Sequence, residues 1–245
     1  MKLLQGSGTF RSKDDLRKQR YVPRVFILIW KCGSNIMGYL KIKRVIDIIL
    51  ALIGLIVLSS VFIILIIAIK IDSKGPVLFK QKRVGIHKSH FNILKFRTMR
   101  IDTPKDIPTH LMDNPEQYIT KMGRFMRKTS FDELPQIWNI FVGQMSIIGP
   151  RPALWNQYDL IAEREIYGAN DVPVGLTGWA QINGRDELPI EVKAMLDGEY
   201  VKRMSFRMDV KCFFGTLVSI VKSDGVVEGG TGKKEVAVTK ETISG

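Results

Sequence analysis

A charge-free apolar run places the strongest limit on how this chain can fold. From Ile48 to Ile69 the sequence holds 22 residues without a charged side chain, interrupted only by Gly54, Ser59 and Ser60. As a single helix this run would be about 33 Å long, which is enough to cross the hydrocarbon core of a bilayer. A buried core helix is the alternative, and it is disfavoured because such helices rarely lack a polar face over about six turns. The run also starts too late and is too long for a cleaved signal peptide.

Both flanks of the run are strongly basic. Residues 1–44 contain eleven Lys and Arg against two Asp, and residues 70–100 contain nine against one Asp. Basic flanks are retained on the cytoplasmic side of a membrane, so a full span would carry one of them across against this rule. A re-entrant hairpin keeps both flanks on the same side. Its predicted bend is Ser59-Ser60, near the middle of the run, which leaves two limbs of about 16 Å each.

The net charge of +13 indicates an anionic partner. Nucleic acid, lipid headgroups and a phosphorylated substrate each fit the charge alone. The basic residues concentrate around the apolar run, which favours anionic lipid, and we therefore expect no nucleic-acid partner. The two cysteines, Cys32 and Cys212, lie too far apart in the sequence for a disulfide framework or a zinc site.

The rest of the chain alternates short strand and helix patterns. Strand-like runs occupy residues 77–81 and 91–96, and residues 133–142 and 153–167 have helical patterns. From Met204 to Val221 an apolar stripe recurs at helical spacing, and it either packs on the core or lies in the lipid headgroup layer. Residues 1–40 form a basic arm, and the Gly-rich tail at 223–245 is expected to be mobile.

Two adjacent carboxylates precede one of the predicted helices. In Ser130-Phe131-Asp132-Glu133-Leu134-Pro135, the proline belongs in the first helical turn, which puts Asp132 at or next to the helix start. A plain N-cap is one interpretation, because Asp fills that position well. The functional interpretation is that one carboxylate attacks phosphorus while the other holds a divalent metal.

Two loops each direct an arginine. Residues 146–152 include Gly149-Pro150-Arg151-Pro152, in which the prolines hold a rigid loop and fix the direction of Arg151. Arginine binds phosphate oxygens in pairs, so a fixed Arg suits a diphosphate, although a structural pairing with an acid is the alternative. Residues 178–185 form a turn that ends at Arg185, with Trp179 available for packing or base stacking.

Taken together, these motifs resemble the monotopic phosphoglycosyl transferases, the bacterial sugar transferase family. Seven short blocks within residues 41–225 carry the resemblance, and their order is the family's order. They are Lys43-Arg44-x-x-Asp47, Phe79-x-Gln81-x-Arg83-x-Gly85, Lys95-Phe96-Arg97-Thr98-Met99, Asp132-Glu133-Leu134-Pro135-Gln136, Gly149-Pro150-Arg151-Pro152, Gly175-Leu176-Thr177-Gly178 and Gln181-x-Asn183-Gly184-Arg185. Many members have Ser-Pro at the membrane bend, where this chain has Ser59-Ser60.

The resemblance implies an enzyme that transfers a phosphosugar from a UDP-sugar to undecaprenyl phosphate and releases UMP by a ping-pong mechanism. By position, Asp132 is the expected nucleophile that forms an aspartyl-phosphosugar intermediate, and Glu133 is the expected ligand of Mg²⁺. The positions that match the family's other charged site residues are taken as substrate-binding: Lys95, Arg97, Arg127, Arg151, Arg185, Asp197 and Asp209.

The expected fold class is α+β, with a re-entrant membrane helix hairpin, interfacial amphipathic helices and a small sheet that carries the active site. The predicted divisions are a basic arm at 1–40, the re-entrant helix at 41–72, a catalytic domain at 73–222 and the tail at 223–245. The resemblance further implies a place in the bacterial cytoplasmic membrane, with the catalytic domain on the cytoplasmic face and membrane lipids as partners.

Such an enzyme would begin the assembly of a polysaccharide or glycoconjugate. A homodimer is left open. A membrane-anchored binding protein that keeps the fold without activity is the alternative, and the intact Asp132-Glu133 pair argues against it.

Overall fold

A computed structural model of the chain describes residues 24–103, 114–184 and 188–222, without the side chains of residues 24–37, 115 and 220–222. The chain divides into two compact units, Met1–Lys41 and Ile42–Gly245. The described residues of the first unit are helical, and the predicted site residues lie in the second. Most of the predicted basic arm, the predicted mobile tail and Arg185 lie outside the described residues.

Helices and two small sheets make up the described chain. In order, the elements are α1 (Arg24–Val57), α2 (Ser59–Asp72), β1 (Leu78–Val84), β2 (His90–Phe96), α3 (Lys121–Thr129), α4 (Gln136–Phe141), β3 (Ser146–Ile148), α5 (Tyr158–Ile166), β4 (Gly175–Thr177), α6 (Trp179–Ile182), α7 (Ile190–Arg203) and α8 (Phe206–Lys222). This mixture of helices with small sheets confirms that part of the predicted fold class.

The apolar run is bent. The helical segments Gly38–Val57 and Ser59–Asp72 meet at 60°, and the break falls at Leu58, next to the predicted Ser59-Ser60. The Ser59 hydroxyl donates to the Ile56 carbonyl oxygen at 2.8 Å, which gives a backbone group at the bend a partner. In the described part of the chain, the two segments reach the length and apolar composition of a membrane span only as this bent pair, and neither helix does so alone.

Both limbs of the bent pair bury one side against the domain. The first limb joins a core made by Ala51, Ile93, Ile140, Met145 and Val174, and the second joins a core made by Leu65, Ile69, Phe96 and Met126. The outward side chains stay exposed: Ile49, Leu50, Leu52, Ile53, Ile56, Val57, Ile63, Ile64, Ile66, Ile67 and Ile71. A contiguous apolar surface of this extent is typical of a membrane or protein contact.

The first sheet is an antiparallel hairpin. Strands β1 and β2 pair with Lys95 opposite Phe79 and with Arg83 opposite Phe91. The predicted strands at 77–81 and 91–96 are therefore confirmed, with slightly different bounds. Residues opposite each other in an antiparallel pair share a face, and side chains two apart on one strand do as well. Lys95 thus lies on the same face as the buried Ile93.

The second sheet brings two Gly-containing blocks together. Strands β3 and β4 are parallel, with Ser146 paired to Gly175 and Ile148 to Thr177. A Cβ atom added at Gly175 would lie 2.1 Å from the backbone nitrogen of Gly149. Only glycine permits this approach, so the loop that begins at Gly149 is set directly against β4.

Two predicted helices begin later than the sequence pattern indicated. The pattern at 133–142 becomes α4, which starts at Gln136 because residues 131–133 form a separate 3-10 turn. The pattern at 153–167 becomes α5, which starts at Tyr158. Residues 153 and 154 instead extend the first sheet, since the Val84 N–H donates to the Ala153 carbonyl oxygen at 2.9 Å.

Most of the described apolar stripe of α8 does not pack on the core, although Val210 is half-buried. Phe206, Phe213, Phe214 and Leu217 are all exposed, whereas the buried side of α8 carries Met208, Asp209 and Cys212. The core-packing interpretation of the stripe is therefore wrong. That interpretation rested only on the helical spacing of the apolar residues, and spacing does not show which side of a helix packs against the domain.

Candidate active site

Asp132 and Glu133 lie on a tight turn between α3 and α4. Ser130 ends α3 with left-handed backbone angles (φ 58°), and its carbonyl oxygen accepts from the Glu133 N–H at 3.2 Å. A residue other than glycine in this region is uncommon and marks a constrained turn. The 3-10 turn Phe131–Glu133 follows, and Pro135 then holds the N-cap position of α4. Asp132 is therefore not the cap of α4, and the plain N-cap interpretation is wrong.

Two cations hold the side chain of Glu133. The Lys95 ammonium on β2 donates to Glu133 Oε1 at 2.8 Å, and Arg151 Nη2 donates to the same oxygen at 2.7 Å. Burial alone would raise the pKa of Glu133. The charges of Arg151 and Lys95, together with their hydrogen bonds, outweigh burial and hold this pKa well below its usual range. Glu133 is therefore ionised at neutral pH and closely paired.

The neighbouring Asp132 is held differently. It is 7% exposed, and its Oδ2 lies 3.8 Å from the Lys95 nitrogen. Among the described residues its carboxylate accepts no hydrogen bond. Burial raises the pKa of Asp132 above its usual value. The charge of Glu133 adds to this rise, and the nearby cations oppose it. The result is a weakly solvated carboxylate beside a strongly paired one.

Arg127 reaches the same region from α3. Its Nε donates to the Thr98 hydroxyl at 3.0 Å, and its charge is among those that lower the pKa of Asp132. Helix α3 lies close to the segment after β2, because a Cβ at Gly123 would come within 2.0 Å of the Thr98 carbonyl oxygen. The structure thus brings Lys95, Arg127 and Arg151 together around the two carboxylates.

The loop of Arg151 is braced by the first hairpin. Arg83 Nη1 donates to the Pro152 carbonyl oxygen at 3.0 Å, and Arg83 Nη2 donates to Gln81 Oε1 at 2.7 Å. Gln81 and Arg83 belong to one of the blocks that carry the family resemblance, but the sequence alone assigns neither of them a role. Their spacing of two along one strand puts both on one face, which was the signal available.

Arg97 turns away from the carboxylates. Its guanidinium donates to the carbonyl oxygens of Lys74 at 2.6 Å and Ser73 at 2.7 Å, and to the Ser73 hydroxyl at 2.9 Å. These bonds fix the connection between α2 and β1. The structure does not bring Arg97 into the site, and its predicted contact with substrate stays a prediction. The same holds for Arg185, which falls outside the described residues.

Asp197 and Asp209 lie in buried polar contacts. Asp197, on α7, is 1% exposed and accepts from Arg164 Nε at 2.8 Å and from Arg164 Nη2 at 2.6 Å. Asp209, on α8, pairs with Lys43 and accepts from the Tyr200 hydroxyl at 2.7 Å. The structure joins neither acid to the Asp132–Glu133 turn. Their predicted roles in substrate binding remain untested predictions.

The donor set suits a metal that is shared with a substrate. Within the described residues, no cluster of three or more His, Cys, Asp or Glu side chains could hold a metal ion. Mg²⁺ is commonly bound by one or two carboxylates together with substrate phosphates and water. Asp132 and Glu133 supply two such carboxylates, although Oε1 of Glu133 already accepts from two cations. The site therefore fits Mg²⁺ bound with a diphosphate, and it does not fit a metal held by protein ligands alone.

Comparison with known proteins identifies relatives along most of the chain. The model of the bacterial sugar transferase family matches residues 38–223. The uncharacterized sugar transferase EpsL of Bacillus subtilis is 38% identical over 185 residues, which cover 76% of this chain and 90% of EpsL. The exopolysaccharide production protein ExoY of Sinorhizobium fredii is 32% identical over 197 residues, which cover 75% of this chain and 87% of ExoY.

A third relative is named for a specific reaction. The UDP-glucose:undecaprenyl-phosphate glucose-1-phosphate transferase of Escherichia coli is 39% identical over 184 residues, which cover 72% of this chain. These residues are only 39% of that protein, so this chain spans less than half of its length.

Proposed function

Because the chain belongs to the bacterial sugar transferase family, we propose that it transfers a sugar-1-phosphate group from a UDP-sugar to undecaprenyl phosphate and releases UMP. The family match confirms both the predicted family and the prediction of a transferase. The substrates come from the name of the E. coli relative. The observation that carries the mechanism is the contrast between Asp132 and Glu133: one carboxylate without a hydrogen bond among the described residues, beside one held by two cations.

In the first half-reaction, Asp132 attacks the phosphorus that bears the sugar. A bond forms between a carboxylate oxygen of Asp132 and this phosphorus, and the bond to the bridging oxygen of the diphosphate breaks. That oxygen and its electron pair leave with UMP. Asp132 suits this role because no described residue donates a hydrogen bond to its carboxylate, and a weakly solvated carboxylate is the more reactive nucleophile.

Lys95, Arg127 and Arg151 reduce the repulsion between the carboxylate and the diphosphate. Each is a cation that already acts on the Asp132 carboxylate. Cations fixed near a phosphoryl group stabilise the charge that develops in the transition state. Mg²⁺, when bound by Glu133 with the diphosphate, would supply further neutralisation of the phosphate charge.

In the second half-reaction, a phosphate oxygen of undecaprenyl phosphate attacks the same phosphorus. The bond from phosphorus to Asp132 breaks, the carboxylate is regenerated, and a diphosphate links the lipid to the sugar. The alternative is direct attack by the lipid phosphate on the UDP-sugar, with Asp132 and Glu133 only orienting the diphosphate.

Mass spectrometry of the intact protein and of its peptides distinguishes the two mechanisms. A panel of UDP-sugars first identifies a donor that gives UMP release with lipid present. With this donor and without lipid, we expect one UMP per active enzyme and a phosphosugar adduct on the peptide that contains Asp132. The Asp132→Asn variant should fold and form no adduct. Turnover by Asp132→Asn, with no adduct on the wild type, would favour direct attack.

The membrane placement is part of the same proposal. The exposed apolar side chains of both limbs and the basic flanks support a re-entrant hairpin in the cytoplasmic membrane, with membrane lipids around it and the site on the cytoplasmic face. Lys41 precedes the apolar run in the sequence and Lys74 follows it, and both side chains are exposed. Cysteines at both positions should stay unlabelled by an impermeant reagent in sealed right-side-out vesicles. Labelling of only one of them would indicate a full span.

A further inference from the structure

We infer that Lys43, Arg44 and Asp47 are positioning residues, which hold the middle of α1 against the two segments that carry Glu133 and Arg151. This inference rests on the proposed function. In the sequence, these residues are part of a basic flank at the start of the apolar run, where lipid headgroups are the expected contact. The structure turns them inward instead. Lys43 is 5% exposed and Asp47 is 4% exposed, although charged side chains are seldom so deeply buried unless they are paired.

Asp47 completes the hydrogen bonding of β3. The Ile147 N–H donates to Asp47 Oδ1 at 3.0 Å. Ser146 and Ile148 pair with β4 on the other edge of this strand, so Asp47 takes the place of a neighbouring strand at Ile147. Strand β3 leads directly into the loop of Arg151. The side chain of Asp47 therefore fixes the start of that loop relative to α1.

Arg44 holds the end of α4. Its Nη1 donates to the Ile140 carbonyl oxygen at 2.5 Å, and its Nη2 donates to the Phe141 carbonyl oxygen at 2.8 Å. The last carbonyl groups of a helix have no partner within the helix, and a guanidinium can satisfy two of them at once. Helix α4 follows the turn of Asp132 and Glu133 after two residues. Arg44 thus fixes the far end of the carboxylate-bearing segment.

Lys43 closes the arrangement through α7 and α8. It pairs with Asp209 Oδ2, while the Tyr200 hydroxyl donates to Asp209 Oδ1 at 2.7 Å. The same hydroxyl lies 3.3 Å from the carbonyl oxygen of Ile148, the last residue of β3. Asp209 matched an acidic family position. Its contacts with Lys43 and Tyr200 give it a structural role that does not depend on substrate binding.

These contacts together determine the distance between Glu133 and Arg151. Arg44 holds the segment of Glu133, and Asp47 holds the segment of Arg151. Glu133 and Arg151 meet at 2.7 Å. A shift of α1 at Arg44 and Asp47 would therefore move the segment of Glu133 relative to the segment of Arg151. Because catalysis depends on sub-ångström alignment of groups that remain present, the loss should fall mainly on kcat and not on KM.

The test uses the full chain in detergent micelles with undecaprenyl phosphate present and follows steady-state UMP release from a competent UDP-sugar. Arg44→Lys keeps the positive charge and loses the fork that reaches two carbonyl groups. We expect kcat to fall about tenfold, with KM for the UDP-sugar changed less than about threefold. Asp47→Ala should lose at least as much, whereas Asp47→Asn keeps an acceptor oxygen for Ile147 and should recover most of the rate.

Two control variants separate positioning from charge and from general stability. Lys41→Met removes a positive charge from an exposed position on the same helix and should leave kcat unchanged. Asp72→Ala removes a similar bond at the other limb, where Asp72 Oδ2 accepts from the Met122 N–H at 3.1 Å. It should lower the thermal midpoint without the loss in kcat that Asp47→Ala shows.

Specific outcomes would overturn the inference. Wild-type kcat in Arg44→Lys would do so, as would equal losses in Asp47→Ala and Asp47→Asn. A loss in Lys41→Met equal to that in Arg44→Lys would point to a role of charge near lipid. If Asp47→Ala does not fold, Arg44→Lys decides by the same criterion. A wild-type protein that releases no UMP with any UDP-sugar would instead contradict the proposed function.

Discussion

Asp132 and Glu133 are neighbours in the chain, yet their two carboxylates differ in how they are paired with cations. Lys95 and Arg151 both donate to one oxygen of Glu133, whereas Asp132 receives no hydrogen bond from the described residues. Glu133 therefore occupies cations that a diphosphate would need. A phosphate group must compete with Glu133 for them, unless a metal draws this carboxylate away.

This competition predicts an unusual effect of Glu133→Gln. Removal of the negative charge weakens the hold of residue 133 on Lys95 and Arg151, so UDP should bind about tenfold more tightly in excess chelator, a gain of about 1.4 kcal/mol. With Mg²⁺ present, the gain should disappear and turnover should fall by at least about 100-fold. Isothermal titration with UDP, with and without Mg²⁺, measures both states. Weaker UDP binding in chelator would show that Glu133 does not mask the cations.

The raised pKa of Asp132 predicts a gain in stability when its charge is removed. A carboxyl whose pKa is higher in the folded than in the unfolded state lowers stability as the pH rises above its unfolded pKa, and the loss is complete above its folded pKa. Asp132→Asn should therefore unfold at a higher temperature than wild type near neutral pH. The difference should shrink as the pH falls towards about 4, where the unfolded carboxyl is protonated too.

Thermal unfolding in detergent at the two pH values checks this prediction. Asp102→Asn serves as the control, because Asp102 is exposed and pairs with Arg100 at the surface. A lower midpoint for Asp132→Asn at neutral pH would mean that the cations around Asp132 outweigh the cost of its burial.

The sequence predicted which residues would group together where they stand in local motifs. Asp132, Glu133, Lys95 and Arg151 stand in short blocks, and the structure brings all four together. Asp197 stood in no such block. Its partner, Arg164, is 33 residues away in sequence, and no local pattern reveals which helix will bury an acid.

The close approach of β3 and its following loop to β4 depends on glycine at positions 149 and 175. A Cβ at Gly175 would lie 2.1 Å from Gly149 N and 2.6 Å from the Ile148 carbonyl carbon. Both are backbone atoms and cannot move aside independently. Gly175→Ala should therefore push the strands apart and displace the loop that holds Arg151.

We expect Gly175→Ala to destabilise the protein by about 2–4 kcal/mol and to reduce UDP binding in parallel. Gly54→Ala is the matched control, because a Cβ there would make ordinary contact with Ile137 at 3.6 Å. Thermal unfolding and UDP titration of both variants provide the measurement. Similar stability of the two variants would show that the sheet adjusts more easily than its geometry indicates.

The bend between α1 and α2 has a sequence basis that substitutions can test. Ser60 is the second residue of α2, and the first N–H groups of a helix have no partner within it. Proline at this position loses no helical hydrogen bond, so Ser60→Pro should keep the bend. Leucine at both Ser59 and Ser60 removes the hydroxyl contact to Ile56 and should favour a straight span.

Cysteine labelling at Lys41 and Lys74 measures this outcome. Both sites should stay protected in Ser60→Pro. In the double leucine variant, we expect one site to become labelled. Protection of both sites in the double leucine variant would mean that packing of the limbs, and not the serines, sets the bend.

Helix existence could be predicted from sequence more reliably than helix placement. The stripe on α8 correctly indicated a helix, but Met208 and Cys212, not Phe213 and Phe214, face the interior. The missing information was three-dimensional: on its inward side α8 carries Asp209, which contacts Lys43 from 166 residues earlier in the sequence. Ionic contacts between distant segments of the chain leave no periodic signal in the sequence.

The molecule as a whole exposes apolar surface in two separate parts of the sequence. One part is the outward face of the bent pair, and the other is the stripe of α8 that includes Phe213 and Phe214. Together with the net charge of +13, these surfaces suit a protein held at an anionic membrane both by insertion and by contact with the headgroup layer. The hairpin would provide the insertion, and α8 would add a second contact near the surface.

If the hairpin inserts into the membrane and α8 contacts the headgroup layer, the two half-reactions should respond differently to substitutions on α8. Serine at both Phe213 and Phe214 removes apolar area from the exposed face without touching the carboxylates or the cations. UMP release without lipid should stay within about twofold of wild type, since the water-soluble donor reaches the same site. Transfer to undecaprenyl phosphate in vesicles of anionic lipid should fall about tenfold, because the contact with the headgroup layer weakens.

Vesicle sedimentation and a radiolabelled sugar assay measure binding and transfer for the same preparation. Serine at Ile166, which is also exposed but lies on α5, provides a control for the loss of surface apolar area. An equal loss in both half-reactions would mean that α8 supports the site itself. Unchanged transfer in vesicles would mean that the hairpin alone holds the enzyme at its lipid substrate.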